Sequence, residues 1–414
     1  MKFDPKTVHT LAVEMYGRPI GVINRLAGDR YLFAFEQSYV EDANRPTLSL
    51  SFKVQGGGLF VETRPVSVRL PPFFSNLLPE GHLRSYLAAR AGVKEQREFF
   101  LLAALGADLP GAVVVTPHDD AADHHHAADE AHEKREQDKT LRFSLAGVQL
   151  KFSAVMEASG GLTIRADGQG GSWIVKLPSV RFPAVPENEH VMLELARAIG
   201  IVVPENRLVK IKEIAGLPPD AGRMEGRALA VARFDRAPGG ERIQMEDFAQ
   251  VFGLFPDDKY DRKSYANIAS VLWAEAGQDD TYEFVRRLAF TVLIGNADMH
   301  LKNWSLLYPD RRTPVLSPAY DFLATLPYLA NDELALSFGD SRSLSGITTD
   351  QVRRFAGTAR MPASPLWQIV TETAERTVAA WEKLPHTDVL PRDMRTAIGR
   401  QIHTVATAIA RART

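Results

Sequence analysis

Four polar side chains lie close together in the sequence between two apolar stretches. Residues 294–307, IGNADMHLKNWSLL, place Asp298, His300, Lys302 and Asn303 between an apolar helical pattern and a strand-like pattern. Four polar side chains at the end of a buried strand are unfavourable unless they bind a ligand. Asp298 and Asn303 have the D-x4-N spacing of a loop in which the carboxylate accepts a hydroxyl proton and the amide holds magnesium. The segment therefore indicates phosphoryl transfer.

A predicted hairpin follows this segment and ends at a second carboxylate. Residues 304–307 read as a strand, a Pro-Asp pair as its turn, and the residues from Val315 as the returning strand. If the two strands pair, Asp321 at the end of the hairpin lies beside Asn303. Magnesium favours one or two carboxylates plus substrate phosphates over a full protein cage. Asn303 and Asp321 are therefore the predicted magnesium ligands.

A lysine closes an apolar strand much earlier in the chain. Lys176 follows the run Trp-Ile-Val, and alternation along a strand places its ammonium on one face. A lysine in this position pairs with nucleotide phosphates in protein kinases. The next predicted helix begins with Glu187 and Glu189 and also carries Glu194. One of the three could hold Lys176 in place, and we favour Glu189.

A loop before the first strand of this region could cover phosphates. Residues 144–151, SLAGVQLK, offer backbone N–H groups and one lysine. The loop has a single glycine, so it is neither a G-x-G-x-x-G loop nor a Walker A loop. Its spacing alone is weak support for a nucleotide site.

Each of these features also has an explanation without catalysis. A D-x4-N pair often arises by chance, Asp321 can cap a helix, and Lys176 can extend to solvent from a strand edge. The combination, in the order found in kinases and on the expected kinds of element, favours phosphoryl transfer. A Ser–His–Asp hydrolase that uses His300 is disfavoured because no G-x-S-x-G sequence precedes it on a strand–helix turn.

The composition is that of an ordinary globular protein. Its 414 residues predict two or three domains, and 45% hydrophobic with 24% charged residues is typical of soluble proteins. The absence of cysteine excludes disulfides, thiolate zinc sites, iron–sulfur clusters and cysteine nucleophiles. No apolar run approaches ~20 residues and the N-terminus lacks a signal-peptide pattern, so we expect a cytoplasmic protein without a membrane span. The net charge of −2 gives no overall attraction to nucleic acid.

The chain divides into four segments by composition and periodicity. They are an N-terminal β-rich subdomain (residues 1–116), an acidic and His-rich linker (117–140), a second β-rich lobe (141–235) and a mainly helical lobe (236–414). Within the first segment, residues 30–40 and 48–54 are predicted as strands. A β-rich lobe followed by a helical lobe, with acidic residues on a loop that interrupts the helices, again favours phosphoryl transfer.

The linker has almost no large apolar side chain, so it cannot bury enough surface to offset its ordering entropy. His124, His125 and His126 stand beside Asp123 and could bind a metal, but adjacent side chains diverge. We therefore favour a solvated linker that is partly helical or disordered.

Nine stretches, spread from the N-terminal segment through most of the helical lobe, resemble the HipA family of bacterial serine/threonine protein kinases, toxins of type II toxin–antitoxin systems. They are PFFSNLLPEG (72–81), LLAALGADLPGAV (101–113), FSLAGVQLKFS (143–153), WIVKLPS (173–179), ENEHVMLELARAIGI (187–201), VARFDR (231–236), QMEDFAQVFG (244–253), IGNADMHLKNWSLLY (294–308) and SPAYDFLAT (317–325). The resemblance implies an α+β fold: a two-lobed protein-kinase-like domain with an extra N-terminal β-rich subdomain and a mainly helical C-terminal lobe.

The resemblance also implies roles for individual residues. Asp298 matches the catalytic aspartate, and Asn303 and Asp321 match the magnesium ligands. Ser144 matches the serine that family members autophosphorylate. Ala232 replaces the acidic residue found at the adenine-binding hinge of the best-known member, a change that leaves backbone contacts to adenine. The residues implied to bind ATP are Ala146, Gly147, Val148, Gln149, Leu150, Lys151, Lys176, Ala232, Arg233, Phe234, His300, Leu301, Lys302, Asn303, Tyr320 and Asp321.

The implied function is an ATP- and Mg²⁺-dependent protein-serine kinase that inhibits growth and contributes to persistence. Family members phosphorylate a protein target, typically an aminoacyl-tRNA synthetase, and are neutralised by a HipB-type helix-turn-helix antitoxin that also binds operator DNA. In the family, autophosphorylation ejects the phosphate loop and switches the kinase off, since an added dianion repels nucleotide phosphates. Residues 391–414 carry five arginines against one acidic residue. A contact with DNA phosphates could explain them, but we favour a solvated helix face.

Two other functions remain open. A small-molecule phosphotransferase, such as one acting on aminoglycosides or choline, would keep the same site. The N-terminal β-rich segment and Ser144 in its loop disfavour that function. A catalytically weak, nucleotide-binding corepressor that acts with the antitoxin is disfavoured by the intact catalytic and metal-binding residues.

Overall fold

The computed structural model describes most of the chain. The described residues are 8–54, 56, 58–118, 151–156, 162–164, 171–217, 221, 223–329 and 332–412. Most of the predicted linker, with its three adjacent histidines, lies outside the described residues. So does the predicted phosphate loop, residues 144–150.

The N-terminal region forms an antiparallel sheet of five strands with the order β4-β3-β2-β1-β5. The strands are β1 Thr10–Met15, β2 Arg18–Leu26, β3 Arg30–Phe35, β4 Val66–Ser67 and β5 Val113–Pro117. Alternating side chains along β1 point to opposite faces of the sheet. Leu11, Val13 and Met15 lie on one of these faces and are fully buried, so this face packs against the core. Tyr16 and Gly17 both have positive φ between β1 and β2, as a two-residue hairpin with the right-handed strand twist requires.

Four helices pack with this sheet. They are α1 Gln37–Glu41, α2 Pro72–Asn76, α3 Gly81–Arg90 and α4 Glu98–Leu105. Their core is aromatic: Phe33 of β3, Phe74 of α2 and Phe99 of α4 are fully buried. Each such side chain contributes about 1.5–3 kcal/mol by leaving water. The N-terminal region therefore has a hydrophobic core of its own.

Two predicted strands in this region are wrong in part. Within residues 30–40 the strand ends at Phe35, and residues from Gln37 form α1, with Tyr39 buried. Residues 48–54 contain a 3₁₀ turn, Leu50–Phe52, in place of a strand. The Ser49 hydroxyl oxygen accepts a hydrogen bond from the Ser51 N–H. In a sheet, a neighbouring strand would accept the hydrogen bond of this N–H, so the local side chain replaces the strand partner.

A second sheet has six strands among the described residues, in the order β10-β7-β6-β8-β11-β9. They are β6 Lys151–Met156, β7 Leu162–Thr163, β8 Trp173–Lys176, β9 Asn206–Lys210, β10 Ile214–Ala215 and β11 Arg227–Ala232. The helix α5 Val185–Ala198 packs on β11, where Leu229 and Val231 join the same core as Val191 and Leu195. The central strand β8 pairs antiparallel with both β6 and β11. This arrangement places Lys176 at the end of the middle strand.

The last region is mainly helical and contains a three-stranded sheet. Its strands are β12 Gln244–Asp247, β13 Ser305–Tyr308 and β14 Val315–Leu316, and its helices are α6 Phe248–Val251, α7 Tyr265–Glu275, α8 Gln278–Ile294, α9 Thr349–Ala359, α10 Ala363–Trp381 and α11 Arg392–Arg411. Antiparallel pairing of Leu306 with Leu316 confirms the predicted hairpin. The buried helix α8 ends at Gly295, whose left-handed backbone forms the C-cap. Among the described helices, none combines the length and apolar character needed to cross a bilayer.

A buried glutamate joins the N-terminal region to this small sheet. Glu246 of β12 is fully buried and accepts hydrogen bonds from the Ser49 hydroxyl, the Tyr308 hydroxyl and, at 2.9 Å, the Leu50 N–H. Burial raises the pKa of Glu246 to about 7, although these three donors act in the opposite direction. The residue therefore holds a proton in the folded chain near neutral pH.

This proton makes stability depend on pH. An unfolded glutamate titrates near ~4.3, and from there up to about pH 7 the folded state still binds a proton that the unfolded state has released. Stability should fall as the pH rises through this window, by on the order of 3 kcal/mol at ~1.4 kcal/mol per pKa unit. Glu246→Gln cannot ionise and can keep the hydrogen bonds, so its unfolding free energy should exceed that of the native chain above this window. Urea unfolding of the full chain at about pH 5 and about pH 8 measures the difference.

Glu382→Gln is the matched control, because Glu382 is exposed. It should leave the pH dependence of unfolding as in the native chain. If Glu246→Gln lost stability between the two pH values as steeply as the native chain does, Glu246 would not be the buried group that holds the proton.

Candidate functional site

In the second sheet, two lysines at adjacent strand ends contact the same carboxylate. Lys151 of β6 and Lys176 of β8 are cross-strand partners. The Lys176 ammonium contacts the carboxylates of Glu189, on α5, and Asp321, which follows the hairpin. The Lys151 ammonium lies 3.2 Å from Asp321 Oδ2. Asp321 thus joins the β-rich lobe to the helical lobe at the point where both predicted phosphate-binding lysines meet.

The charges in this cluster stabilise one another. Burial alone would raise the pKa of Asp321, but the charges of Lys151 and Lys176 hold it well below its usual range. Burial likewise would lower the pKa of Lys176, but Asp321 and Glu189 raise it above its usual value. Both groups are therefore ionised at neutral pH. Lys151 is about 42% exposed against 6% for Lys176, so Lys151 is the cation that an incoming anion meets first.

The backbone at Asp321 is strained and held by its neighbours. Asp321 has a φ of 55°, in the left-handed region that non-glycine residues rarely adopt. Asn188 binds the segment that follows Asp321. Its side-chain nitrogen donates to the Ala324 carbonyl at 2.9 Å, and its side-chain oxygen accepts from the Ala324 N–H at 3.1 Å. The Thr325 hydroxyl accepts from the Ala297 N–H at 2.9 Å. These bonds keep the Asp321 segment against the loop that carries Asp298.

The loop after α8 is organised around Asp298. Its N–H donates to Asn296 Oδ1 at 3.0 Å, and the Asn303 side-chain amide donates to the Asp298 carbonyl at 2.8 Å. The exposed Asp298 carboxylate accepts a hydrogen bond from the Tyr260 hydroxyl at 2.7 Å. Partial burial raises the pKa of Asp298, while the Tyr260 hydrogen bond and the charge of Lys259 oppose that rise. Asp298 therefore presents a solvent-accessible carboxylate with increased basicity.

His300 is neutral in this loop. It is 7% exposed, and burial, with the charge of Lys259, lowers its pKa to about 3. Its ring lies edge-on to Tyr260, with centroids 5.0 Å apart. Within the described part of the chain, His300 Nδ1 is buried without a hydrogen-bond partner.

Three predicted nucleotide-binding side chains are engaged elsewhere. Leu301 is fully buried in the core of the helical region. The Lys302 ammonium donates to the Asn76 carbonyl at 3.0 Å and lies 2.8 Å from Glu80 Oε1. The Arg233 guanidinium is buried against the carboxylates of Asp108 and Asp235. The N–H groups of Leu301 and Arg233 are also engaged, by the carbonyls of Lys259 and Ser172.

The predicted hinge and Tyr320 lie together. The Phe234 and Tyr320 rings are 5.4 Å apart between centroids. Tyr320 is held by its hydroxyl, which bonds Ser305 Oγ at 2.6 Å and the Lys302 carbonyl at 2.9 Å. The N–H groups of Ala232 and Arg233 donate to carbonyls of neighbouring segments. The predicted residues Ala146, Gly147, Val148, Gln149, Leu150 and Ser144 lie outside the described residues.

Sequence reasoning missed several residues of this site. Tyr260 lies 38 residues from Asp298, a separation that no local pattern reveals. Glu80 belongs to the N-terminal region, and its local sequence does not predict a contact with the loop of Asp298. Asn296 was within reach of sequence reasoning, because it stands two residues before Asp298 and its short amide side chain can bond nearby backbone groups.

The donor set fits magnesium and a polyphosphate. Asp321 supplies carboxylate oxygens, and Asn303 supplies an amide oxygen, since the atom bonded to the Asp298 carbonyl is its amide nitrogen. These hard oxygen donors suit Mg²⁺, which binds few protein groups and completes its shell with phosphates and water. Lys151 and Lys176 supply the cations that phosphates require. The arrangement can hold a metal–triphosphate beside a basic carboxylate.

Comparisons with known proteins agree with one another. The model for the HipA N-terminal domain matches residues 11–116, and the model for the HipA-like C-terminal domain matches residues 143–381. Y4dM of Sinorhizobium fredii (strain NBRC 101917 / NGR234), provisionally named a kinase, is 52% identical over 381 residues and covers 91% of this chain and 92% of its own length. The serine/threonine-protein kinase toxin HipA of Shewanella oneidensis is 26% identical over 412 residues, covering 89% of this chain and 88% of its own.

A solved structure agrees with the fold. The HipA chain of the Shewanella oneidensis MR-1 complex of HipA, HipB and operator DNA superimposes with a TM-score of 0.72 at 22% identity, covering 97% of each chain. The kinase-like α+β fold, with an N-terminal β-rich region and a helical C-terminal region, is thereby confirmed. Because the C-terminal family model spans more than half of the chain and Y4dM is similar over nearly its full length, the chain belongs to the HipA family of kinase-like toxins.

Proposed function

We propose that this chain is an ATP- and Mg²⁺-dependent protein-serine kinase that acts as the toxin of a type II toxin–antitoxin module. The observation that carries the proposal is the meeting of Lys151, Lys176 and Asp321 beside the loop of Asp298 and Asn303. Membership of the HipA family supports the same activity. The proposed target is a protein of translation, of which an aminoacyl-tRNA synthetase is the class expected from the family.

The geometry supports separate roles for these residues in phosphoryl transfer. Lys151 and Lys176 bind the phosphates of ATP. Asp321 and Asn303 would hold Mg²⁺, which would supply positive charge near the transferring phosphoryl group. Asp298 orients the serine hydroxyl and accepts its proton as the hydroxyl oxygen bonds to the γ-phosphorus and the bond to ADP breaks. The raised pKa of Asp298 favours this proton transfer.

Three further elements belong to the proposal. Ser144 is proposed as an autophosphorylation site, where a new dianion beside the phosphate loop would repel nucleotide. A HipB-type antitoxin is proposed as the partner, since the HipA chain of similar fold was solved with HipB and operator DNA. Operator DNA is proposed to be bound mainly through the antitoxin. The arginines on α11 lie on its exposed face, as a solvated helix requires, and the proposal assigns them no DNA contact.

Removal of the metal provides the test. The full chain incubated with γ-labelled ATP and Mg²⁺ should transfer label to serine, on itself and on a protein target, and EDTA should abolish the transfer because the phosphates lose their counter-charge. Peptide mapping locates the labelled serine. A small-molecule phosphotransferase would leave Ser144 unlabelled and would release ADP only with an acceptor such as choline. Failure to transfer label to any protein would overturn the proposed function.

A further inference from the structure

A carboxylate of the N-terminal region reaches the catalytic loop. Glu80 lies 2.6 Å from the Lys259 ammonium and 2.8 Å from the Lys302 ammonium. Burial would raise the pKa of Glu80, but the two lysines lower it to about 2, so the carboxylate stays ionised. Lys302 belongs to the loop between Asp298 and Asn303. One acidic side chain thus binds the catalytic loop and a second segment of the helical region together.

The N-terminal segment that carries Glu80 is itself fixed to the helical region. The Asn76 side-chain amide donates to the Leu254 carbonyl at 2.7 Å and to the Pro72 carbonyl at 2.9 Å. The Asn76 carbonyl accepts from Lys302 at 3.0 Å. Glu80 is therefore held in register with the catalytic loop by main-chain contacts as well as by its own charge.

The segment of Lys259 and Tyr260 transmits this contact to Asp298. The Lys259 carbonyl accepts a hydrogen bond from the Leu301 N–H at 3.2 Å, so the two segments also bond through the backbone. The Tyr260 hydroxyl donates to Asp298 Oδ1 at 2.7 Å. The Tyr260 carbonyl accepts from Arg342 at 3.2 Å, which fixes the segment from the other side. The path runs without a break from Glu80 to the predicted catalytic carboxylate.

We propose that Glu80, Lys259 and Tyr260 form a positioning relay through which the N-terminal region holds the Asp298 carboxylate in its reactive orientation. The inference rests on the proposed kinase function. Tyr260 occupies Oδ1, which leaves Oδ2 for the substrate hydroxyl. A hydrogen bond to an ionised carboxylate favours the form that can accept a proton. Tyr260 acts on the reaction through Asp298 and does not touch the transferred group.

The test uses the full chain with Tyr260→Phe and Glu80→Gln. In Tyr260→Phe the carboxylate loses the hydrogen bond that fixes its orientation, so kcat should fall at least roughly tenfold. The KM for ATP should change little, because the lysines and Asp321 are untouched. Glu80→Gln should lower kcat in the same way, since it removes the charge that pairs with both Lys259 and Lys302. Tyr282→Phe is the matched control, because the Tyr282 ring packs against Trp273 and its hydroxyl has no hydrogen-bond partner within the described residues.

NMR separates this inference from the proposed function. In the full chain labelled with ¹³C at the aspartate carboxyl carbon, the signal lost in Asp298→Asn identifies Asp298. At one fixed pH, its chemical shift should change in Tyr260→Phe, which loses the 2.7 Å hydrogen bond to Oδ1, and stay in place in Tyr282→Phe, whether or not the chain transfers phosphate. An unchanged chemical shift in Tyr260→Phe overturns the relay. A changed chemical shift with no phosphotransfer by the native chain would leave the Tyr260–Asp298 contact standing and the proposed function wrong.

Discussion

Asp298→Asn should lower the rate of phosphotransfer roughly 10²–10⁴-fold, the contribution typical of a positioned general base. The amide has the shape of the carboxylate and can still accept from the Tyr260 hydroxyl, which donates to Asp298 at 2.7 Å in the native chain. It cannot accept the proton of a substrate serine. Nucleotide affinity should change little, since Lys151, Lys176 and Asp321 are unaltered. Single-turnover transfer from labelled ATP measures the rate, and titration with a fluorescent nucleotide measures the affinity.

The same variant should relieve growth inhibition in cells that express the chain without an antitoxin. Asp279→Asn is the matched control, because Asp279 is exposed at the start of α8 and away from the site. It should retain both transfer and toxicity. A native rate or native toxicity in Asp298→Asn would rule out Asp298 as the catalytic carboxylate.

Asp108→Ala should destabilise the folded chain by about 3–5 kcal/mol, the usual effect of removing one partner from a buried ion pair. Asp108 belongs to the N-terminal region, and its carboxylate lies 3.3 Å from Arg233 and 2.8 Å from Arg236, at the predicted hinge. The side chains of all three residues are 5–7% exposed. Asp235 also pairs with both arginines at 2.8 Å, but one carboxylate does not balance two buried guanidinium groups. The loss leaves an uncompensated charge in the interface.

Urea unfolding of the full chain measures this effect as a fall in the free energy of unfolding. Asp350→Ala is the matched control, since Asp350 pairs with Arg353 at 2.9 Å but both side chains are about two-thirds exposed or more. An exposed pair contributes about 0–1 kcal/mol. If the two variants were equally stable, the Asp108 cluster would not hold the N-terminal region to the hinge.

Some features were within reach of sequence reasoning because they depend on short stretches of chain. Alternation along residues 173–176 indicated a strand that ends at Lys176, and the structure has β8 there. The hairpin from Ser305 was predicted because its turn and both strands are adjacent in sequence. The predictions of strands over residues 37–40 and 48–54 were wrong. Burial of Tyr39 and the hydrogen bond of the Ser49 side chain accompany a helix and a 3₁₀ turn there, and sequence periodicity does not reveal such contacts.

By itself, the sequence determined the types and spacing of the chemical groups: Asp298 five residues before Asn303, a carboxylate at the end of a hairpin, and a lysine at the end of a strand. Only the tertiary structure decided which groups meet. Glu80 contacts Lys259 across 179 residues, and Arg233 contacts Asp108 across 125. The charges of Lys259 and Arg233 are therefore neutralised by carboxylates of the N-terminal region rather than by a ligand. The physical reason is that such pairs form only when separately folded regions dock, and docking depends on the shape and burial of whole surfaces.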